Sequence, residues 1–62
     1  MDLYRVFLVR LFQCKSQDEV TSVLEEMLLE DDLDSTEISG ILLAALDRRF
    51  FLRWQDLLLK EV

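Results

Sequence analysis

Three short runs hold the side chains that could do chemistry. Cys14 is the single thiol of the chain, a nucleophile or soft-metal ligand only as the thiolate. Glu30, Asp31, Asp32 and Asp34 gather four carboxylates around one leucine, the oxygen donors that calcium and magnesium take. Asp47-Arg48-Arg49 sets an acid and two bases among apolar residues. An aspartate in that setting can receive an arginine through two parallel hydrogen bonds.

Each run has a plainer reading. The chain has no histidine, and no general base neighbours Cys14, so Cys14 reads as a small core hydrophobe. A calcium loop needs alternating ligands, a mid-loop glycine and a terminal glutamate. Gly40, the only glycine, does not fall at that spacing, and the acids read as a solvated turn. Neither a metal nor a cofactor is expected, and no catalysis. Asp47, Arg48 and Arg49 read either as a solvated helix face or as charges beside an apolar interface. Such charges set partner choice and association rate more than raw affinity.

Hydrophobic spacing defines the elements that would carry these groups. Residues 16–30 are the clearest. Ser16 and Glu19 form a capping box, and Val20, Val23, Leu24, Met27 and Leu28 then recur with helical period on one face. A first helix over residues 3–13 is apolar nearly all round, which predicts burial on more than one side. The acids after residue 30 oppose a helix dipole and should end the second helix. A third helix starts at Asp34 or Ser35, capped by Asp34 with Glu37 or by Ser35 alone. It meets no breaker until about Lys60. Gly40, Ala44 and Ala45 are small and allow another helix close. No stretch alternates in the manner of a strand. The fold class expected is all-α, a single domain over residues 1–62 with two short helices packed on one long third helix.

That third helix carries two apolar stripes. One holds Ile38, Ile41, Leu42, Ala45, Leu52 and Leu59. The other holds Leu43, Leu46, Phe50, Trp54, Leu57 and Leu58. One stripe can face the first two helices. The second has no partner within the chain, unless it fills a loosely wound core. Aromatics and arginine are enriched at interface centres, so Asp47, Arg48, Phe50, Arg53, Trp54, Leu57 and Leu58 are the expected partner-binding residues.

Composition points the same way. With 62 residues, 52% of them hydrophobic, the chain has more apolar surface than one small domain can hide. One cysteine makes no internal disulfide, which leaves association as the means of stabilisation. Thirteen acids against seven bases give a net charge of −6, and autonomous nucleic-acid binding, which needs clustered bases, is not expected. The apolar start lacks a basic leader: Asp2 stands there, Arg5 and Arg10 interrupt the run, and no small-x-small cleavage site follows. No apolar run reaches membrane-spanning length. The lone thiol suits a reducing, cytoplasmic setting.

The run Arg10-Leu11-Phe12-Gln13-Cys14, then Ser16-Gln17-Asp18-Glu19-Val20 and Val23-Leu24-Glu25, then Leu33-Asp34-Ser35-Thr36-Glu37-Ile38, then Ala44-Ala45-Leu46-Asp47-Arg48-Arg49 resembles the Hha/YmoA family of small expression modulators. Order and spacing agree over roughly residues 4–60 when insertions of two or three residues are allowed, one of them before Asp47. The resemblance implies a transcription modulator that binds the dimerisation domain of an H-NS-type nucleoid protein, with Asp47 pairing an arginine of that partner and Cys14 matching the family cysteine. Phe12-Gln13 stands where the family has a basic pair, and Arg48 where it has histidine. The alternative from another class is an obligate homodimer or small chaperone-like adaptor that uses the Phe50, Trp54 and Leu57 stripe on a second copy or a partner helix.

Overall fold

Three capped starts set the helices. The computed structural model describes residues 2–60, and within them the chain forms α1 (Leu3–Gln13), α2 (Gln17–Leu28) and α3 (Ser35–Lys60). Asp2 caps α1, its carboxylate accepting from the Tyr4 N–H at 3.1 Å. Ser16 caps α2 by accepting from the Glu19 N–H at 3.2 Å. Glu19 reaches back one residue further than the usual box and accepts from the Lys15 N–H at 2.7 Å. At α3 the box is complete. Asp34 accepts from the Glu37 N–H at 2.8 Å and Glu37 accepts from the Asp34 N–H at 3.2 Å, so Asp34 rather than Ser35 is the cap.

α2 ends at Leu28, two residues before the expected Glu30. The Leu29 and Glu30 N–H groups donate to the Glu26 and Met27 carbonyls, each at 3.1 Å. These three-residue spacings tighten the last turn and close the helix. Glu30, Asp31, Asp32 and Asp34 stand in solvent, while Leu33 between them is buried. The acidic turn is therefore pinned by one leucine.

The chain direction follows from cross-helix contacts. Tyr4 lies against Gly40, and Arg48 reaches Cys14, so α1 runs alongside α3 in the same direction. Gln17 and Thr21 meet Arg49, so α2 runs back. A Cβ on Gly40 would come within 2.5 Å of the Tyr4 hydroxyl, a direct reason for a small residue where α1 crosses α3.

The core is Phe7, Leu11, Cys14, Val20, Val23, Met27, Leu33, Ile41, Ala45 and Leu52. Ile41, Ala45 and Leu52 come from the first α3 stripe, which is the core-facing one; Ile38 is half-buried against it. Leu42 and Leu59 of that stripe are exposed: Leu42 turns away from the two short helices, and Leu59 lies past Leu52, the last buried residue of α3. α1 is buried on one side only. Phe7 and Leu11 are inside, but Val9 and Phe12 face solvent, because two neighbours cannot surround it.

At about 1.5 Å per residue, α3 is ~39 Å long and each short helix under 20 Å. The overhang stretches the described molecule to 44 × 18 × 17 Å. Its radius of gyration, 12.7 Å, exceeds the roughly 10.5 Å of a compact domain of this length. No helix among the described residues is long and apolar enough to cross a membrane. In urea unfolding, Ile41→Val should cost about 1 kcal/mol and Leu59→Ala less than ~0.5 kcal/mol; equal losses would show that the overhang is packed.

Candidate functional site

The site is built around consecutive residues of α3 that point to different neighbours. Arg48 turns inward. Its Nε and Nη2 donate to the Cys14 carbonyl at 2.9 and 2.7 Å, which satisfies the acceptor at the C-cap of α1. Its guanidinium lies 5.5 Å from the Phe12 ring centre and 4.9 Å from that of Phe51, within cation–π range of both. Arg49 turns to α2: Nη1 donates to Gln17 Oε1 at 3.0 Å and Nη2 to Thr21 Oγ1 at 2.7 Å, while the Arg49 carbonyl accepts from Gln17 Nε2 at 3.0 Å. These two arginines lock α3 to the α1–α2 turn. Arg10 and Glu26 add an exposed ion pair between α1 and α2, of small energetic weight.

Asp47 is left facing outward. It is exposed and forms no ion pair among the described residues. It stands at the mouth of a groove of about 390 Å³ between α1 and α3, lined by Leu8, Leu11, Phe12, Ala44, Arg48 and Phe51. The groove is therefore an apolar slot with one unpaired carboxylate at its edge. Arg48, aimed at the Cys14 carbonyl, supports the groove wall and does not neutralise Asp47.

The remaining expected partner-binding residues lie further along α3. Phe50 is 65% exposed and meets Trp54 edge to face at 6.1 Å between ring centres, a favourable aromatic geometry. Leu57 and Leu58 are exposed beyond the short helices, as are Leu43 and Leu46 before them. Arg53 is exposed and borders a wider, shallower cleft beside Lys15, Ser16 and Gln17. Asp47, Phe50, Arg53, Trp54, Leu57 and Leu58 thus share the outer surface of α3, while Arg48 is occupied within the chain. The sequence reading omitted Leu8, Phe12 and Phe51 from the site. Phe51 belongs to neither stripe, and that unassigned aromatic was the available signal of a third apolar face.

Cys14 is buried, and its thiol donates to the Arg10 carbonyl at 3.2 Å. Burial pushes its pKa up, with Glu19 adding to the rise and Arg48 and Arg10 opposing it. The thiol is held protonated, in the form that neither attacks nor ligates. Among the described residues no three histidine, cysteine or carboxylate side chains converge as metal ligands do.

Comparison with family models, curated proteins and solved structures finds no match to this chain.

Two outcomes are expected here. Arg48→Met should lower stability by roughly 1–3 kcal/mol, the usual cost of losing a charge-assisted bond to a part-buried carbonyl, whereas exposed Asp47→Asn should change it by less than ~0.5 kcal/mol. Thermal unfolding of both variants checks the pair. Cys14 should react with a thiol reagent at neutral pH far more slowly in the native chain than in urea; equal rates would show an accessible, activated thiol.

Proposed function

We propose that this chain is a non-enzymatic regulator that works by protein–protein interaction through the α1–α3 groove. The carrying observation is the unpaired Asp47 carboxylate at the edge of an apolar slot. The matching ligand is a helix or segment with one arginine flanked by aliphatic side chains. The arginine bonds Asp47 in two-pronged fashion while the aliphatic groups cover Phe12, Leu8 and Phe51. Arg48 lies against both the Phe12 and Phe51 rings, contacts already present in the free chain that lower the ordering cost of binding.

The most specific form of this reading is an Hha-like modulator of transcription whose partner is the dimerisation domain of an H-NS-type protein. The resemblance over residues 10–49 supports it, and so does the placement of Asp47, which that resemblance pairs with a partner arginine. The net charge of −6 favours a basic partner segment over direct contact with nucleic acid. A self-associating adaptor is the second reading, favoured by the separate stripe on the far side of α3.

Isothermal titration of the chain into an H-NS-type dimerisation domain tests the proposal. Saturable binding is expected, weakened about tenfold or more by Asp47→Asn, since a charge-assisted pair contributes ~1.5–3 kcal/mol. A folded chain that gives no binding heat would overturn the partner assignment. Binding unchanged in Asp47→Asn would remove the groove from it.

A further inference from the structure

The widest uncovered apolar surface is not the groove but the face of α3 that points away from the core. At 100° per residue, Leu43, Leu46, Phe50, Trp54 and Leu57 all fall within about 40° of one another's mean direction, centred on Phe50. Ile41, Ala45 and Leu52, the buried residues of α3, lie roughly opposite. All five outward residues are exposed, so one helix shows a continuous stripe with nothing on it. Monomers rarely leave so long an apolar patch open.

The spacing of the stripe identifies what covers it. Read outward from Phe50, the apolar residues stand four and then seven positions away in both directions: Leu46 and Leu43 before it, Trp54 and Leu57 after it. Asp47 and Arg53 border it three positions to either side, and the next apolar residues on its flanks, Leu42 and Leu58, are each eight positions away and also exposed. A stripe that reads the same from either end fits a copy of itself turned end for end. An interface between identical copies related by a two-fold axis requires that self-complementarity.

We propose that two copies of this chain pair through α3, antiparallel, with the two-fold axis passing between their Phe50 side chains. Leu43 of one copy then meets Leu57 of the other, and Leu46 stands level with Trp54. This inference uses the outer stripe rather than the groove, with Asp47 on the border between them, and stands whether or not the groove takes an H-NS-type partner.

Charge selects the antiparallel orientation. The α3 start and the turn before it carry Glu30, Asp31, Asp32, Asp34 and Glu37 without a base, whereas residues 48–60 carry Arg48, Arg49, Arg53 and Lys60 against Asp56. Parallel pairing would stack the acidic ends together. Antiparallel pairing centred on residue 50 carries the two acidic ends to opposite ends of the pair, with Lys60 of one copy level with Gly40 of the other, and juxtaposed like charges are what exclude the parallel arrangement. The area is adequate. The five stripe residues and part of the two flanking leucines together cover roughly 600 Å² per copy, below the ~800 Å² of a standard interface and in the range of a dimer that dissociates on dilution.

Sedimentation equilibrium of the purified full chain tests the proposal, with Phe50→Glu and Phe50→Lys variants alongside. The wild type should sediment at twice the 7.4 kDa chain mass and dissociate on dilution. Each variant alone should be a folded monomer by circular dichroism, because two like charges would face each other across the axis. An equimolar mixture of the two should recover the dimer, since position 50 meets itself, and Leu43→Glu should be recovered by Leu57→Lys, because these positions meet only when the two helices run antiparallel. A wild type that stays monomeric at the highest concentrations overturns the proposal. Dimers that persist in Phe50→Glu, or a mixture that does not recover, overturn the register. Phe12→Ala, a groove change on α1, should leave the dimer unchanged, which keeps this outcome separate from the fate of the groove.

Discussion

Everything in this fold depends on a mismatch of lengths. One helix of 26 residues is packed by helices of 11 and 12, and a helix packs against neighbours along a limited stripe. Ile41, Ala45 and Leu52 account for the buried contribution of α3, and every other large apolar residue on it from Leu42 onward is exposed. The surplus cannot be removed by folding alone. It is a surface held out on a rigid element, and rigidity is what lets such a surface bind without a large ordering cost.

The rigid frame has specific fasteners. Arg48 and Arg49 are neighbours in sequence and diverge in space, one to the end of α1 and one to the start of α2. They hold α3 at the level of the α1–α2 turn, close to Leu52, the last buried residue of α3. Past that level the chain relies on helical hydrogen bonds and on the i,i+4 pair of Asp56 with Lys60, a small exposed contribution. The same two arginines therefore separate a packed half of α3 from a projecting half. They also leave Asp47 as the one member of the charged triplet that faces outward.

Much of this architecture was readable in the residues. Capping signals at Ser16 and Asp34 placed two helix starts to within a residue, because a side-chain cap is a local interaction. The small residue at 40 signalled room for a close helix crossing, though not which helix crosses there, since its neighbour Tyr4 is distant in sequence. Which α3 stripe is core was not readable, since both are apolar and the choice depends on where α1 and α2 dock. Nor was the role of Arg48. Its partner is a backbone carbonyl 34 residues away, and no side-chain pattern announces a carbonyl. The groove escaped for a related cause: Leu8, Phe12 and Phe51 become neighbours only when two helices lie side by side.

The two apolar surfaces of α3 differ in what they demand of a ligand. The groove joins α1 to α3, is lined by side chains of both, and carries one carboxylate, Asp47, beside the internally bonded Arg48. That makes it asymmetric, so it suits a partner unlike itself, with the arginine as the discriminating group. The outer stripe belongs to one helix, has no charge within it, and repeats its spacing in both directions from Phe50. That makes it symmetric, so it suits its own copy. A chain with both surfaces can assemble with itself along one face and still present two Asp47 grooves, one from each copy. Were both proposed contacts made, two sites held at a fixed separation would raise the effective concentration for a partner that is itself dimeric.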